Sequence, residues 1–263
     1  MYKCVGAVVI FLASHWVSAD VVFTSGSYSI LENVLVESQN TRQELKTKAI
    51  TQTLLSTPYS KSTLNMNPLS VERLIVDLNA MDCMTFIEYT EAFRRAENYQ
   101  QFISNLINIR YIDQQVTFSN RRHFFTDWAQ ESKPIAVDIT TMISSHAVPI
   151  EKKLNWKGNG GSFISGLGVK ARLINYIPTR YVDEGLIELL KTGDYIGIYS
   201  KNQGLDVTHV GIVIKENKQV VFRNASSLRH NLKVSDVELR HYLDDKVGII
   251  VFRSSLDYYS DIN

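Results

Sequence analysis

Asp82-Cys83-Met84-Thr85-Phe86-Ile87-Glu88 places a thiol directly after a residue that caps helices well, with Phe86, Ile87, Phe93 and Ala96 recurring at helical spacing behind it. Cys83 is thereby predicted in the first helical turn. Unpaired amide N–H groups and the positive end of the helix dipole favour the thiolate there, which is the nucleophilic form. Asp82 opposes this if its carboxylate faces the sulfur, because a like charge raises a thiol pKa. As an N-cap it is expected to turn into the amides instead.

A thiol nucleophile needs a base. His209 is the best placed candidate, because Asp206–Ile214 reads as a strand followed by a hairpin. If Lys215–Lys218 forms the loop, the residue opposite His209 is Asn224, and directly paired residues share one face of an antiparallel hairpin. An Asn amide in that position holds an imidazole in one tautomer. Cysteine, histidine and an orienting group make a minimal nucleophilic constellation. The plainer alternatives are an inert buried Cys and a half-buried core His beside an edge Asn.

Those residues need elements to hold them. From Ser27 to Asn108 the pattern reads as helical, with Ile30, Leu31, Val34 and Leu35 on one face and a second run at Val71, Leu74, Ile75 and Leu78. Thr57-Pro58-Tyr59 breaks the first region. Arg110 to Tyr181 is less regular, and its Gly158–Gly161 stretch lacks a phosphate-loop ending and reads as a flexible loop. Tyr195–Tyr199, Val207–Ile214, Val220–Arg223 and Gly248–Phe252 read as strands. Helices first and antiparallel strands afterwards predict one α+β domain.

The start of the chain bears on the thiol count. Lys3, the apolar run Val5–Val17 and Val17-Ser18-Ala19 read as a secretory signal peptide over residues 1–19, leaving 20–263 as a single catalytic domain. Export predicts a periplasmic or secreted protein, with no stable membrane insertion after cleavage. Cys4 leaves with the leader, so Cys83 becomes the lone thiol, and such a leftover cysteine in an oxidising compartment suggests reactivity. Lys3 leaves too, which reduces the 28 basic residues to 27 against 27 acids. A neutral chain carries no electrostatic footprint for nucleic acid. No His-Glu-x-x-His, Cys-x-x-Cys or His-x-His spacing occurs, so no metal or other cofactor is expected.

An Asp-Cys helix, a strand His and a polar residue on the next strand resemble, in that order, the NlpC-type cell-wall cysteine peptidases, whose core is papain-like. A closer resemblance is to an N-acetylmuramoyl-L-alanine amidase-like branch of that superfamily, formerly a domain of unknown function. It rests on Thr57-Pro58-Tyr59, Leu78–Glu88, Ile109-Arg110-Tyr111, Arg122–Trp128, Gly193-Asp194, Leu205–Gly211 and Ala225-Ser226-Ser227. It implies a papain-like NlpC-type core with N-terminal helices packed on an antiparallel sheet. It also implies hydrolysis of the amide joining N-acetylmuramic acid, or its 1,6-anhydro form, to L-Ala of the stem peptide, with peptidoglycan fragments as substrate.

Carried over by residue, Cys83 is the nucleophile, with its own N–H as oxyanion donor, and His209 is the base and later the acid. Asn224 takes the orienting position, where family members often have His. Tyr59 and Asp82 border the pocket, and Arg122, His123 and Trp128 contact sugar or peptide, although each of these also has a purely structural reading. A stem-peptide endopeptidase, a glycan-binding protein without catalysis and a secreted wall-attacking toxin remain alternatives.

Overall fold

The computed structural model describes residues 20–130, 132–216 and 219–260. The predicted leader 1–19, with Cys4, and residues 217 and 218 of the predicted loop lie outside the described residues.

In chain order the elements are β1 (Val21–Phe23), α1 (Ser27–Gln39), α2 (Lys46–Thr53), β2 (Leu74–Val76), α3 (Cys83–Arg94), α4 (Tyr99–Arg110), β3 (Ala136–Asp138), α5 (Thr140–Ile143) and β4 (Val148–Leu154). There follow β5 (Lys170–Pro178), α6 (Glu184–Leu189), β6 (Tyr195–Tyr199), β7 (Val207–Glu216), β8 (Gln219–Ala225), β9 (Val234–Glu238), α7 (Leu239–Leu243), β10 (Gly248–Ser254) and α8 (Ser255–Ser260). The result is a mixed α+β architecture. Its main sheet is antiparallel in the order β4-β5-β10-β6-β7-β8-β9, with β3 added on β10.

The central strands are apolar on both faces and are covered on both sides. Val210, Ile212 and Ile214 of β7 join α1–α4 in one core with Leu31, Val34, Ile50, Phe86 and Phe93. Val213 and Phe222 face the other way and pack with Leu186 and Ile187 of α6 and Leu239 and Leu243 of α7. The period of two along β7 therefore assigns alternate residues to two different cores. No helix among the described residues is long and apolar enough to cross a membrane.

Two expectations about local structure change. Leu74–Val76, predicted within a helical run, is a strand paired in parallel with Val21–Phe23. A short apolar run has no decisive period, and here three consecutive branched residues gain a partner strand from the start of the described chain. The middle segment, predicted as irregular, contains the β4–β5 hairpin, paired from Val148↔Tyr176 to Leu154↔Lys170. Its connection is held by one side chain: the Asn155 amide nitrogen donates to the carbonyls of Ile164 and Leu167, and its oxygen accepts from Ile164 N–H at 2.7 Å. Asn155 adopts φ +76°, which Asn tolerates better than most residues.

Candidate active site

The helix that carries the thiol starts as its sequence predicts. Asp82 is extended, its carboxylate accepts Thr85 N–H at 2.8 Å, and Thr85 Oγ1 accepts Asp82 N–H at 2.9 Å. This reciprocal capping box fixes the first turn and the place of Cys83. From Thr85 to Arg94 every residue of α3 is buried, so the helix is embedded in the core and its start cannot drift.

β7 brings the histidine. Its ladder with β8 runs from Glu216↔Gln219 to Ile212↔Arg223, so Lys215 and Glu216 are strand residues rather than loop. The register is two residues away from the predicted one, and Asn224 is a diagonal neighbour of His209 instead of its direct partner. An offset of two preserves the face, and diagonal side chains still reach one another. His209 Nε2 lies 2.9 Å from Asn224 Oδ1, and Asn224 Nδ2 donates to the Phe222 carbonyl at 3.2 Å. The second bond assigns the amide, so the oxygen faces the ring and accepts from Nε2–H. Nδ1 is then the bare, basic nitrogen.

The sulfur lies where the two strands part. The backbone N–H groups of Val210, Cys83 and Met84 lower the thiol pKa, but burial first and then the Asp82 charge outweigh them and push it up to about 12. The predicted resting thiolate is therefore corrected to a neutral thiol. Asp82 serves as cap and still acts on the sulfur, because the capped position keeps the carboxylate close. Burial likewise lowers the His209 pKa, against the raising effects of Asn224 and Asp82. Both partners rest uncharged.

Of the predicted pocket residues, Tyr59 joins the site. Its N–H donates to the Leu232 carbonyl at 2.9 Å and it bridges Met81 next to the cap, while burial and then the charges of Cys83 and Asp82 raise its phenol pKa. Arg122, His123 and Trp128 occupy other places. The buried Arg122 guanidinium donates to the carbonyls of Asn108 and Ile109 at the end of α4, at 2.6 and 3.1 Å. His123 Nε2 bonds the Phe118 carbonyl at 2.7 Å and its ring leans on Phe118. Trp128 is fully buried edge-on to Tyr195, with ring centroids 5.1 Å apart, and belongs to the core. The segment Arg122–Trp128 thus braces the framework. Two surface cavities of about 360 and 470 Å³ are lined by other residues, Phe118 and Arg240 among them, and Cys83 lines neither.

One neighbour was not anticipated. Tyr242 of α7 lies against Phe222 and His209 and within electrostatic reach of Cys83. Nothing in Leu239–Leu243 signals this, because only the tertiary crossing of α7 over β8 brings the ring there.

An α+β sheet protein with a Cys, His and Asn constellation at one sheet opening is the class that fold and geometry define. The model of the AmiA-like, N-acetylmuramoyl-L-alanine amidase-like family matches residues 49–249, and the chain belongs to that family. No curated protein shows significant similarity to the chain. Among solved structures, a Legionella pneumophila protein from a family of unknown function is 20% identical with a TM-score of 0.71, covering 87% of this chain and 94% of its own. A Bacteroides fragilis protein provisionally named a xylanase is 27% identical with a TM-score of 0.63, covering 77% of this chain and 98% of its own. An N-acetylmuramoyl-L-alanine amidase from Bacteroides uniformis is 24% identical with a TM-score of 0.63, covering 78% of this chain and 96% of its own.

Proposed function

We propose that the chain is a cell-wall amidase of the cysteine type, hydrolysing the amide between the lactyl group of N-acetylmuramic acid, free or in its 1,6-anhydro form, and L-Ala of the stem peptide. The observation that carries this is the His209–Asn224 bond of 2.9 Å, which leaves Nδ1 basic next to Val210, whose backbone N–H acts on the Cys83 thiol. Family membership supports the amidase chemistry and the peptidoglycan substrate.

The reaction starts from a neutral pair. His209 Nδ1 takes the thiol proton as the sulfur attacks the lactyl carbonyl, so charge appears only on the way to the tetrahedral intermediate. Asn224 Oδ1 accepts from the imidazolium and holds its orientation. The N–H groups at the start of α3 face the developing oxyanion. His209 then returns the proton to the departing L-Ala nitrogen, leaving a thioester, and water activated by the same imidazole releases the lactyl acid.

The same reading makes the core papain-like and of NlpC type, 1–19 an export leader, 20–263 the catalytic domain, and the periplasm or the exterior the place of work. The xylanase name of one neighbour finds less support. Glycoside hydrolysis generally uses a pair of carboxylates, whereas among the described residues Asp82 is the carboxylate that acts on both Cys83 and His209.

The test is product analysis. Purified protein and its Cys83→Ala variant are incubated with defined muropeptides, including anhydro forms, and the products are weighed by mass spectrometry. Free stem peptide plus sugar is expected from the wild type, with the variant slower by at least about 10⁴-fold. Cleavage inside the stem moves the activity to an endopeptidase. Products unaffected by the substitution overturn the mechanism.

A further inference from the structure

A second tyrosine, Tyr242, lies within electrostatic reach of the thiol. The Tyr242 ring centroid stands 4.8 Å from that of Phe222 and 6.3 Å from the His209 imidazole. Gly211 makes room for this stack: a Cβ there would come within 2.5 Å of the Phe222 ring, so only glycine lets Phe222 lie down over β7 and Tyr242 follow it. Lys246 Nζ, 5.2 Å from the ring centroid, adds a further contact. The ring is therefore held by Phe222, His209 and Lys246.

Its hydroxyl is not. Phenol and thiol are within electrostatic reach, yet among the described residues the Tyr242 hydroxyl forms no hydrogen bond, to the sulfur or to any other protein group. Burial, followed by the charges of Cys83 and Asp245, keeps the phenol protonated up to about 12, so it is a donor at any working pH. A donor held beside the His209 imidazole with no protein partner gains one when substrate binds there.

The position of His209 says which part of the substrate arrives there. On the amidase reading, on which this inference rests, His209 hands its proton to the departing amine, and Tyr242 flanks that imidazole. We infer that Tyr242 is a substrate-contacting residue on the leaving-group side, its phenol O–H donating to the peptide carbonyl just beyond the scissile amide. It selects muramoyl peptides over muramoyl amides of simple amines.

Tyr242→Phe removes only the hydroxyl and keeps the ring on Phe222 and His209. Two measurements are taken on the full chain and on this variant. In the first, kcat/KM is compared for N-acetylmuramoyl-L-alanyl-D-isoglutamine and for N-acetylmuramoyl methylamide, which has no carbonyl on the leaving side. The variant is expected to lose about 5- to 10-fold on the first substrate and less than about 2-fold on the second. In the second, Cys83 is alkylated with iodoacetyl-L-alanine amide and with iodoacetamide. The ratio of the two rates is expected to fall several-fold in the variant.

Equal losses on both substrates, or no loss on either, overturn the inference. A wild type inactive on both substrates brings down the amidase reading instead, and the alkylation ratio then decides: an unchanged ratio overturns the role of Tyr242, and a fallen one supports it.

Discussion

At both ends of α3 burial is the largest influence on a titratable side chain, and the two ends answer it with very different charge. At the start, Cys83 has only backbone donors, and burial with the Asp82 charge leaves it a neutral thiol. Two turns on, Glu91 is fully buried, and burial again pushes its carboxyl pKa up. Arg94 and Arg95, helped by Ser254 and Tyr195, more than reverse the shift and hold it below its ordinary value. Glu91 Oε2 accepts from Arg94 at 2.9 Å and Tyr195 at 2.6 Å, while Oε1 accepts from Arg95 and Ser254, both at 2.6 Å. Arg94 continues to Asp257 of α8 at 2.6 Å. Desolvation is common to both ends, and the supply of counter-charge separates a structural joint from a reactive group.

Glu91→Ala is the largest way to break that contrast. It takes from buried Arg94 one of its two carboxylate partners, leaving Asp257, and removes the joint between α3, β6 and β10, so a loss of about 3–5 kcal/mol in unfolding free energy is expected by denaturant titration. Cys83→Ala, by contrast, is expected to change stability by less than about 1 kcal/mol while abolishing activity. If the two variants were equally destabilised, the division of α3 into a joint and a site would fail.

Next in size is Asn224→Ala. Its bond supports an imidazole that becomes charged during the reaction, so kcat is expected to fall on the order of 10- to 100-fold. The pH profile adds a sign. His209 must be neutral to act, and its pKa lies below the ordinary 6.5, so kcat/KM should decline only as pH falls below that figure. The alkaline side should stay flat through pH 9, because the thiol titrates near 12. Asn224 raises the His209 pKa, so its removal should move the acid limb to still lower pH. A thiol limb between pH 7 and 9 would show that burial and Asp82 do not hold the Cys83 pKa up near 12.

The sequence is legible where local rules decide. The capped start of α3 could be read from Asp82 and the apolar spacing behind it, and β6 from an unbroken apolar run. The His209–Asn224 pairing came out right on a shifted register, because strand parity is robust to an error of two residues and would have been destroyed by an error of one. Other features depended on distant partners. β2 exists because Val21–Phe23 pairs with it, and the β4–β5 hairpin is hidden by polar residues such as Lys152, which is buried and donates to the Ser200 and Asn202 carbonyls. Arg122 and Trp128 illustrate the limit of residue type as a guide. A guanidinium and an indole suit a sugar site, and here they close the end of α4 and fill the core.

The smallest change is also the most discriminating one. Asp82 has two roles at once, accepting Thr85 N–H and raising the thiol pKa. Asn is as good an N-cap as Asp, so Asp82→Asn is expected to leave stability within about 0.5 kcal/mol of the wild type. It nevertheless removes the negative charge beside the sulfur. The thiol pKa should fall from about 12, and Cys83 should be alkylated faster by iodoacetamide at pH 8. His209 loses a charge that raises its pKa, so its acid limb should move down in the same variant. Faster alkylation together with the lower limb would show that the Asp82 charge keeps the thiol protonated and at the same time favours the imidazolium. An unchanged alkylation rate would leave burial alone as the reason why this end of α3 differs from the other.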